Sequence, residues 1–318
     1  MIRSFGFVLI FCAFVLSCGP AAVDGPGEQN DESDPENDNG TGEENGVEHE
    51  WVTPAVDSDR IDHRTFHSEA VGEDVSYHIF VPMPYDNMSE TEFPVLYWLH
   101  GGGGGIEGIV PLAQHFAAAM QQGLVPTMLV VFPNGLELGM WVDWKDGSVP
   151  METILMDELI PHIDDTFRTI TSRDGRIVEG FSMGGYGAAR LAFKYHDVFS
   201  AASILGGGPL QLNFDETPRV GREGRERVFQ DVYGGCMDYY QSVSPWLIAE
   251  ENAAALAENS RIRIAIGELD PMLDFNEDFH EHLKSLDIPH EFHIIPDVGH
   301  DAMPLRQGLG EEGWDFYH

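Results

Sequence analysis

The sequence predicts an α/β protein built on a mostly parallel, doubly wound sheet. Short apolar runs alternate with helical spacings along the chain, and most runs end in a loop rich in Gly, Asp or His. Length agrees, because residues 51–318 suffice for one domain burying about three quarters of its unfolded surface. Glu73–Val81 alternates loosely, as an antiparallel edge strand does, and Pro82 and Pro84 end it. Pro94–Leu99 is continuously apolar, the pattern of a strand covered on both faces, and it runs straight into His100 and Gly101–Gly105. Thr127–Phe132 is a second such strand, closed by Pro133-Asn-Gly135. Met151–Phe167 spaces Ile154, Leu155, Leu159 and Ile163 as a helix does, with Pro161 as the point of a kink. Ile177 and Val178 lead into a Gly-rich turn and a helix reaching about Tyr195. Phe199–Leu205 is a strand ending in Gly206–Gly208, Arg261–Ile266 is the next, a helix covers Phe275–Ser285, and His290–Ile295 is the last strand. In such sheets, sites gather beyond the carboxyl ends of the strands.

The amino-terminal fifty residues do not belong to that core. Residues 1–17 combine Arg3 with an apolar run from Phe5 to Leu16, too short to span a bilayer, and read as a signal peptide. Val15-Leu-Ser-Cys18 has the form of a bacterial lipoprotein processing box, so Cys18 is the expected lipidated residue and the chain is expected to be exported and membrane-anchored, with an ordinary secretory signal cleaved near Ala21 or Ala22 as the alternative. Residues 18–50 are dominated by Gly, Pro, Asn, Asp and Glu and read as a disordered acidic linker. The whole chain carries 54 acidic against 17 basic residues, a formal charge of -37. Nucleic acid is therefore not an expected partner, and contact with a membrane is expected through the lipid alone. With Cys12 removed and Cys18 acylated, Cys236 has no partner for a disulfide.

One stretch concentrates the chemistry. Gly180-Phe-Ser182-Met-Gly184 fits G-x-S-x-G, in which glycines remove the side chains that would clash where a strand reverses into a helix. Ser182 then stands at the apex, and the Met183 amide points to where negative charge develops during acyl transfer. A serine hydroxyl needs a base, and the base needs an orienting carboxylate. In this architecture the chain order is serine, acid, histidine. Asp270 follows the strand Arg261–Ile266, with Asp274 and Glu268 in reserve, and His300 follows the last strand, whose loop also holds Asp297. Gly101–Gly105 has two parsings. Gly103, Gly105 and Gly108 match a dinucleotide fingerprint, yet no acid stands about twenty residues on, where a buried strand begins. Preceded by His100, the run reads better as a loop giving an oxyanion amide from Gly102 or Gly103.

His100 with its glycines, Asn134, Trp141-Val-Asp-Trp144, Glu152 with Glu158-Leu-Ile-Pro161, Gly180–Gly185, Gly267–Asp270 and Gly299-His-Asp301 together resemble the esterase D family of α/β-hydrolases. The resemblance runs from about residue 60 to 305 and is strongest toward feruloyl and acetyl-xylan esterase domains. It implies the α/β-hydrolase fold, a Ser182–His300–Asp270 triad and an oxyanion hole from the His100 loop and Met183. No cofactor is implied. The sequence departs after Pro304, where Gly308, Gly310 and Gly313 make any final helix short or broken.

Trp141, Asp143 and Trp144 follow the second buried strand and are either a pocket wall for a sugar or aromatic acyl group or a core anchor. Arg219, Arg222, Arg225 and Arg227 are unusual in so acidic a chain, and Arg222 and Arg225 are candidates for a carboxylated substrate; ion pairs with neighbouring acids are the alternative. His280 and His282, two apart, do not share a helix face, so no metal site is read there. The expected function is hydrolysis of an acyl or feruloyl ester, with a small molecule or carbohydrate as the ester partner. Acyl transfer to a sugar or lipid, or glycan binding without catalysis, are the alternatives.

Overall fold

In a computed structural model, residues 49–214 and 221–318 are described; the signal segment, Cys18, the linker up to residue 48 and Arg219 lie outside the described residues. Eight strands form one sheet: β1 (Ile61–Ser68), β2 (Glu73–Phe80), β3 (Val95–Leu99), β4 (Leu129–Pro133), β5 (Arg176–Phe181), β6 (Ala201–Leu205), β7 (Arg261–Gly267) and β8 (Glu291–Ile295). Their order is β1-β2-β4-β3-β5-β6-β7-β8. The pairings β1/β2 and β2/β4 are antiparallel, and every later pairing is parallel.

Period-two alternation divides the buried strands between two cores. Tyr97, Val131, Val178, Ile204 and Ile264 face the layer that holds the helices Met183–Lys194, Pro245–Asn259 and Leu273–Ser285. Trp98, Val130, Ile177, Leu205 and Ala265 face the other layer, closed by the helix Ile106–Gln122 and by Leu305, Trp314, Phe316 and Tyr317. Both faces are covered, which is why β3 and β4 read as unbroken apolar runs.

Several expectations need correcting. Glu73–Val81 is not the edge strand; β1 lies outside it, and its alternation of exposed and buried positions carries Asp62, His63, Arg64 and His67, a polar load that hides an edge strand from an apolar search. Met151–Phe167 is helical but not a plain α-helix. Its middle, Ile154–Leu159, is π-helical just before Pro161, which has no N–H to give and whose ring crowds the preceding turn. The helices Ile106–Gln122 and Pro245–Asn259 were not expected. The second had a readable start: Ser244 caps it, accepting from Trp246 N at 3.2 Å, with Pro245 in the first turn. Cys236 is buried and disulfide-bonded, against the expectation of no disulfide. As the glycines implied, the carboxyl end is a short helix, Ala302–Gly308, followed by the 3-10 turn Glu312–Tyr317.

Candidate active site

Ser182 joins β5 to the helix Met183–Lys194 with φ 58° and ψ -118°, a strained conformation for a residue with a side chain. The turn is that tight because strand and helix almost touch. A Cβ on Gly184 would fall 1.8 Å from the Leu99 carbonyl oxygen, and one on Gly180 would fall 2.1 Å from that of Gly184. The apex is tied to β6, since Ser182 N donates to Leu205 O at 2.9 Å and Ser182 O accepts from Gly208 N at 3.2 Å.

The three residues expected from their order are brought together. His300 Nε2 lies 2.8 Å from Ser182 Oγ, and His300 Nδ1 lies 2.6 Å from Asp270 Oδ2. Asp270 Oδ1 accepts from Met272 N at 2.9 Å, so both carboxylate oxygens are engaged and the side chain is fully buried. With Asp270 accepting from Nδ1–H, the ring presents a lone pair at Nε2 to the serine hydroxyl. Phe181 packs on the imidazole, ring centroids 4.5 Å apart. Glu268, Asp274 and Asp297, the alternative acids, are exposed instead.

The glycine loop is held by His100. Gly135 N donates to His100 Nε2 at 3.0 Å, so the proton sits on Nδ1, which donates to Gly101 O at 2.7 Å. Burial pushes this imidazole down to about 4, which keeps it neutral. It is a strut between the ends of β3 and β4, not a base. Gly101 packs beside Ser182, where an added Cβ would lie 3.2 Å from the serine Cβ. The two oxyanion candidates are now distinguishable: Gly103 N donates to Glu137 O at 3.0 Å, whereas Gly102 N has no acceptor among the described residues. Met183, the first residue of the following helix, has its amide among those with no partner inside the helix.

The expected substrate side chains fare differently. Trp141 is 0% exposed; its Nε1 donates to His100 O at 3.2 Å, and its ring fills the space above Gly135 and Gly187. It is a core anchor and has no surface to offer a ligand. Asp143 caps the helical run at residue 151, accepting from Thr153 N at 3.0 Å and Thr153 Oγ1 at 2.8 Å, so its carboxylate is already used. Trp144 is half-buried with its ring edge against His49, centroids 5.5 Å apart. Arg222 is exposed and Arg225 half-buried on the helix Arg222–Asp231, in the segment after β6, and Arg227 pairs with Asp231 at 3.5 Å.

Buried charge behind the site went unread. Glu152 meets Arg190 of the helix Met183–Lys194 at 2.5 Å, and Lys194 and Tyr195 at 2.5 and 2.6 Å. Glu179 on β5 and Arg263 on β7 pair at 2.9 Å with neither exposed. Their signal was available: an ionisable residue inside an otherwise apolar strand marks a paired interior group.

The chain matches a family model described as "Putative esterase" over residues 68–284. It belongs to this esterase family. Esterase Rv1288 of Mycobacterium tuberculosis is 29% identical over 271 residues, covering 78% of this esterase-family chain and 57% of its own length. The chain thus spans just over half the length of that curated relative. Among solved structures, a ferulic acid esterase superposes with a TM-score of 0.69 at 22% identity, covering 81% of this chain and 96% of that one. FphF of Staphylococcus aureus, a fluorophosphonate-binding serine hydrolase, superposes with a TM-score of 0.67 at 18% identity, covering 81% and 98%. The fold is the α/β-hydrolase fold, with the mostly parallel sheet expected.

Proposed function

We propose that the chain is a serine carboxylic-ester hydrolase working through Ser182, His300 and Asp270. The carrying observation is the unbroken hydrogen-bond relay from Asp270 Oδ2 through both nitrogens of His300 to Ser182 Oγ. As Oγ attacks the ester carbonyl carbon, its proton passes to His300 Nε2, and Asp270 stabilises the imidazolium. The amides of Met183 and Gly102 donate to the oxyanion. Collapse breaks the ester C–O bond, His300 returns the proton to the leaving alcohol, and water then resolves the acyl-enzyme by the same path. Labelling of the wild type by a fluorophosphonate, lost in Ser182→Ala, is the expected result. A folded wild type that resists the probe would refute the proposal.

For the substrate we infer an acyl or feruloyl ester of a carbohydrate, supported by likeness to a ferulic acid esterase. The alternative of a glycan-binding protein without catalysis loses its platform, because Trp141 is buried and only Trp144 of the pair reaches the surface. We read Arg222 and Arg225 as selecting a carboxylated substrate. Arg222→Ala with Arg225→Ala should lower kcat/KM for uronic esters several-fold more than for neutral ones; an unchanged ratio removes this role. From sequence alone we also propose export and a lipid on Cys18. The intact mass of detergent-extracted protein should carry the lipid increment, and a mass without it ends the anchor proposal.

A further inference from the structure

Three neighbouring strands carry a polar row across the interior of the sheet. Glu179 on β5 is in register with Ser203 on β6, and Ser203 with Arg263 on β7, all on the face turned toward the carboxyl-terminal segment. Arg263 Nη2 donates to Glu179 Oε2 at 2.9 Å and to Ser203 Oγ at 2.8 Å, while Nη1 donates to Gly313 O at 2.7 Å. Tyr317 closes the row from the last turn, its hydroxyl donating to Glu179 Oε2 and accepting from Arg263 Nη2 at 3.0 Å. A second guanidinium, that of Arg306, lies with Nε 3.6 Å from Glu179 Oε1 and with its face on the Trp314 ring at 3.8 Å. Glu179, Arg263, Arg306 and Tyr317 are all buried.

The placement of these residues along the chain is what matters. Glu179 stands three residues before Ser182, Arg263 seven before Asp270, and Arg306 six after His300. Each element delivering one member of the proposed triad therefore sends a charge into the same cluster. The histidine arm most needs such a tether. Its loop hangs between β8, a partly exposed edge strand, and the seven-residue helix Ala302–Gly308, too short to hold itself. That helix docks through Leu305 and Arg306, both buried. Two cations against one carboxylate is a costly interior, and an apolar replacement of similar volume often leaves stability equal or higher. Stability alone therefore does not account for Arg306.

We propose that Glu179, Arg263, Arg306 and Tyr317 form a positioning cluster that sets the register of Ser182, Asp270 and His300, with Arg306 the residue that fixes the histidine arm. This rests on the triad reading above. Arg306→Met is the informative change, because Glu179 keeps Arg263 and Tyr317 and no carboxylate is orphaned. For wild type and each variant, one aliquot is titrated with a fluorophosphonate to count active sites, and an unlabelled aliquot is assayed with p-nitrophenyl acetate, turnover being expressed per titratable site.

The expected result for Arg306→Met is an unchanged or higher Tm, KM within about twofold, and per-site kcat lowered on the order of tenfold through misplacement of the base. Arg306→Lys, which keeps the charge beside Glu179, should recover much of that loss. Per-site kcat equal to the wild type, with only Tm or the titratable fraction reduced, overturns the cluster's positioning role. Should Arg306→Met fail to fold, Tyr317→Phe decides by the same split: a lowered per-site kcat at constant KM supports the role, and an unchanged one overturns it. A folded wild type that takes no label overturns the triad reading itself and this inference with it, which is a different outcome from labelled variants with unchanged turnover.

Discussion

Ser182→Ala is expected to lower kcat for a simple ester by roughly 10⁴- to 10⁶-fold while the protein stays folded. The side chain makes one hydrogen bond, to His300 Nε2, and its backbone bonds to Leu205 and Gly208 survive the change, so little stability is at stake. What disappears is the covalent route, leaving the amides of Met183 and Gly102 to aid attack by water. Asp270→Asn should lower kcat by about 10⁴-fold, because an amide NH₂ facing Nδ1 favours the tautomer that turns a proton toward Ser182. Stopped assays measure both, per folded protein for Ser182→Ala and per titrated site for Asp270→Asn. Hydrolysis at the wild-type rate by Ser182→Ala would show that another group attacks the ester.

Glu152→Ala is expected to cost about 3–5 kcal/mol of folding stability, since it strands a buried guanidinium. Arg190 keeps two carbonyl acceptors, Trp141 O at 2.8 Å and Val243 O at 3.1 Å, which favours the lower end of that range. For a domain of this size a loss of about 3 kcal/mol lowers Tm by roughly 6–10 °C. The pH dependence follows from the same contacts. Burial opposes ionisation of Glu152, yet Arg190, Lys194 and Tyr195 outweigh it and hold the carboxyl down to about 2, below the ordinary 4.5. A folded-state value below the unfolded one means the stabilisation is fully present above about pH 4.5 and is lost as pH falls toward 2. Its size is about 3 kcal/mol at 1.36 kcal/mol per pH unit. Urea midpoints of wild type and Glu152→Gln should differ at pH 6 and converge as pH approaches 2; parallel curves across that range would exclude Glu152 as the titrating group. The site is affected too, because Arg190 also holds the backbone of Trp141, which in turn braces His100.

Legibility varied with the kind of signal. β3, β4, β6 and β7 were readable because both faces are buried, so their side chains are apolar apart from Ser203, Arg261 and Arg263 and no phase need be guessed. β1 was not, since half its residues face water and its pairing is with a neighbour in space. Ser182 was readable from its glycines, whose absent side chains are a local requirement of the turn. Trp141 illustrates the opposite case. An aromatic at the end of a strand suits a pocket wall or a core equally well, and only the ring's insertion above Gly187, on a helix over forty residues later, makes it a core residue.

Local pattern and order along the chain were thus sufficient for the sheet class, the strained serine turn and the succession of serine, acid and histidine. Those properties depend on steric limits and burial that act over a few residues. Three-dimensional packing had to bring Asp270, the first choice from sequence, to His300 while Glu268, Asp274 and Asp297 stay exposed, engage the Gly103 amide so that Gly102 is left, and gather Glu179, Arg263 and Arg306 into one interior cluster. Each of those outcomes turns on distances of about 3 Å between segments far apart in sequence, and hydrogen bonds and ion pairs at that range carry no periodicity that a linear reading could detect.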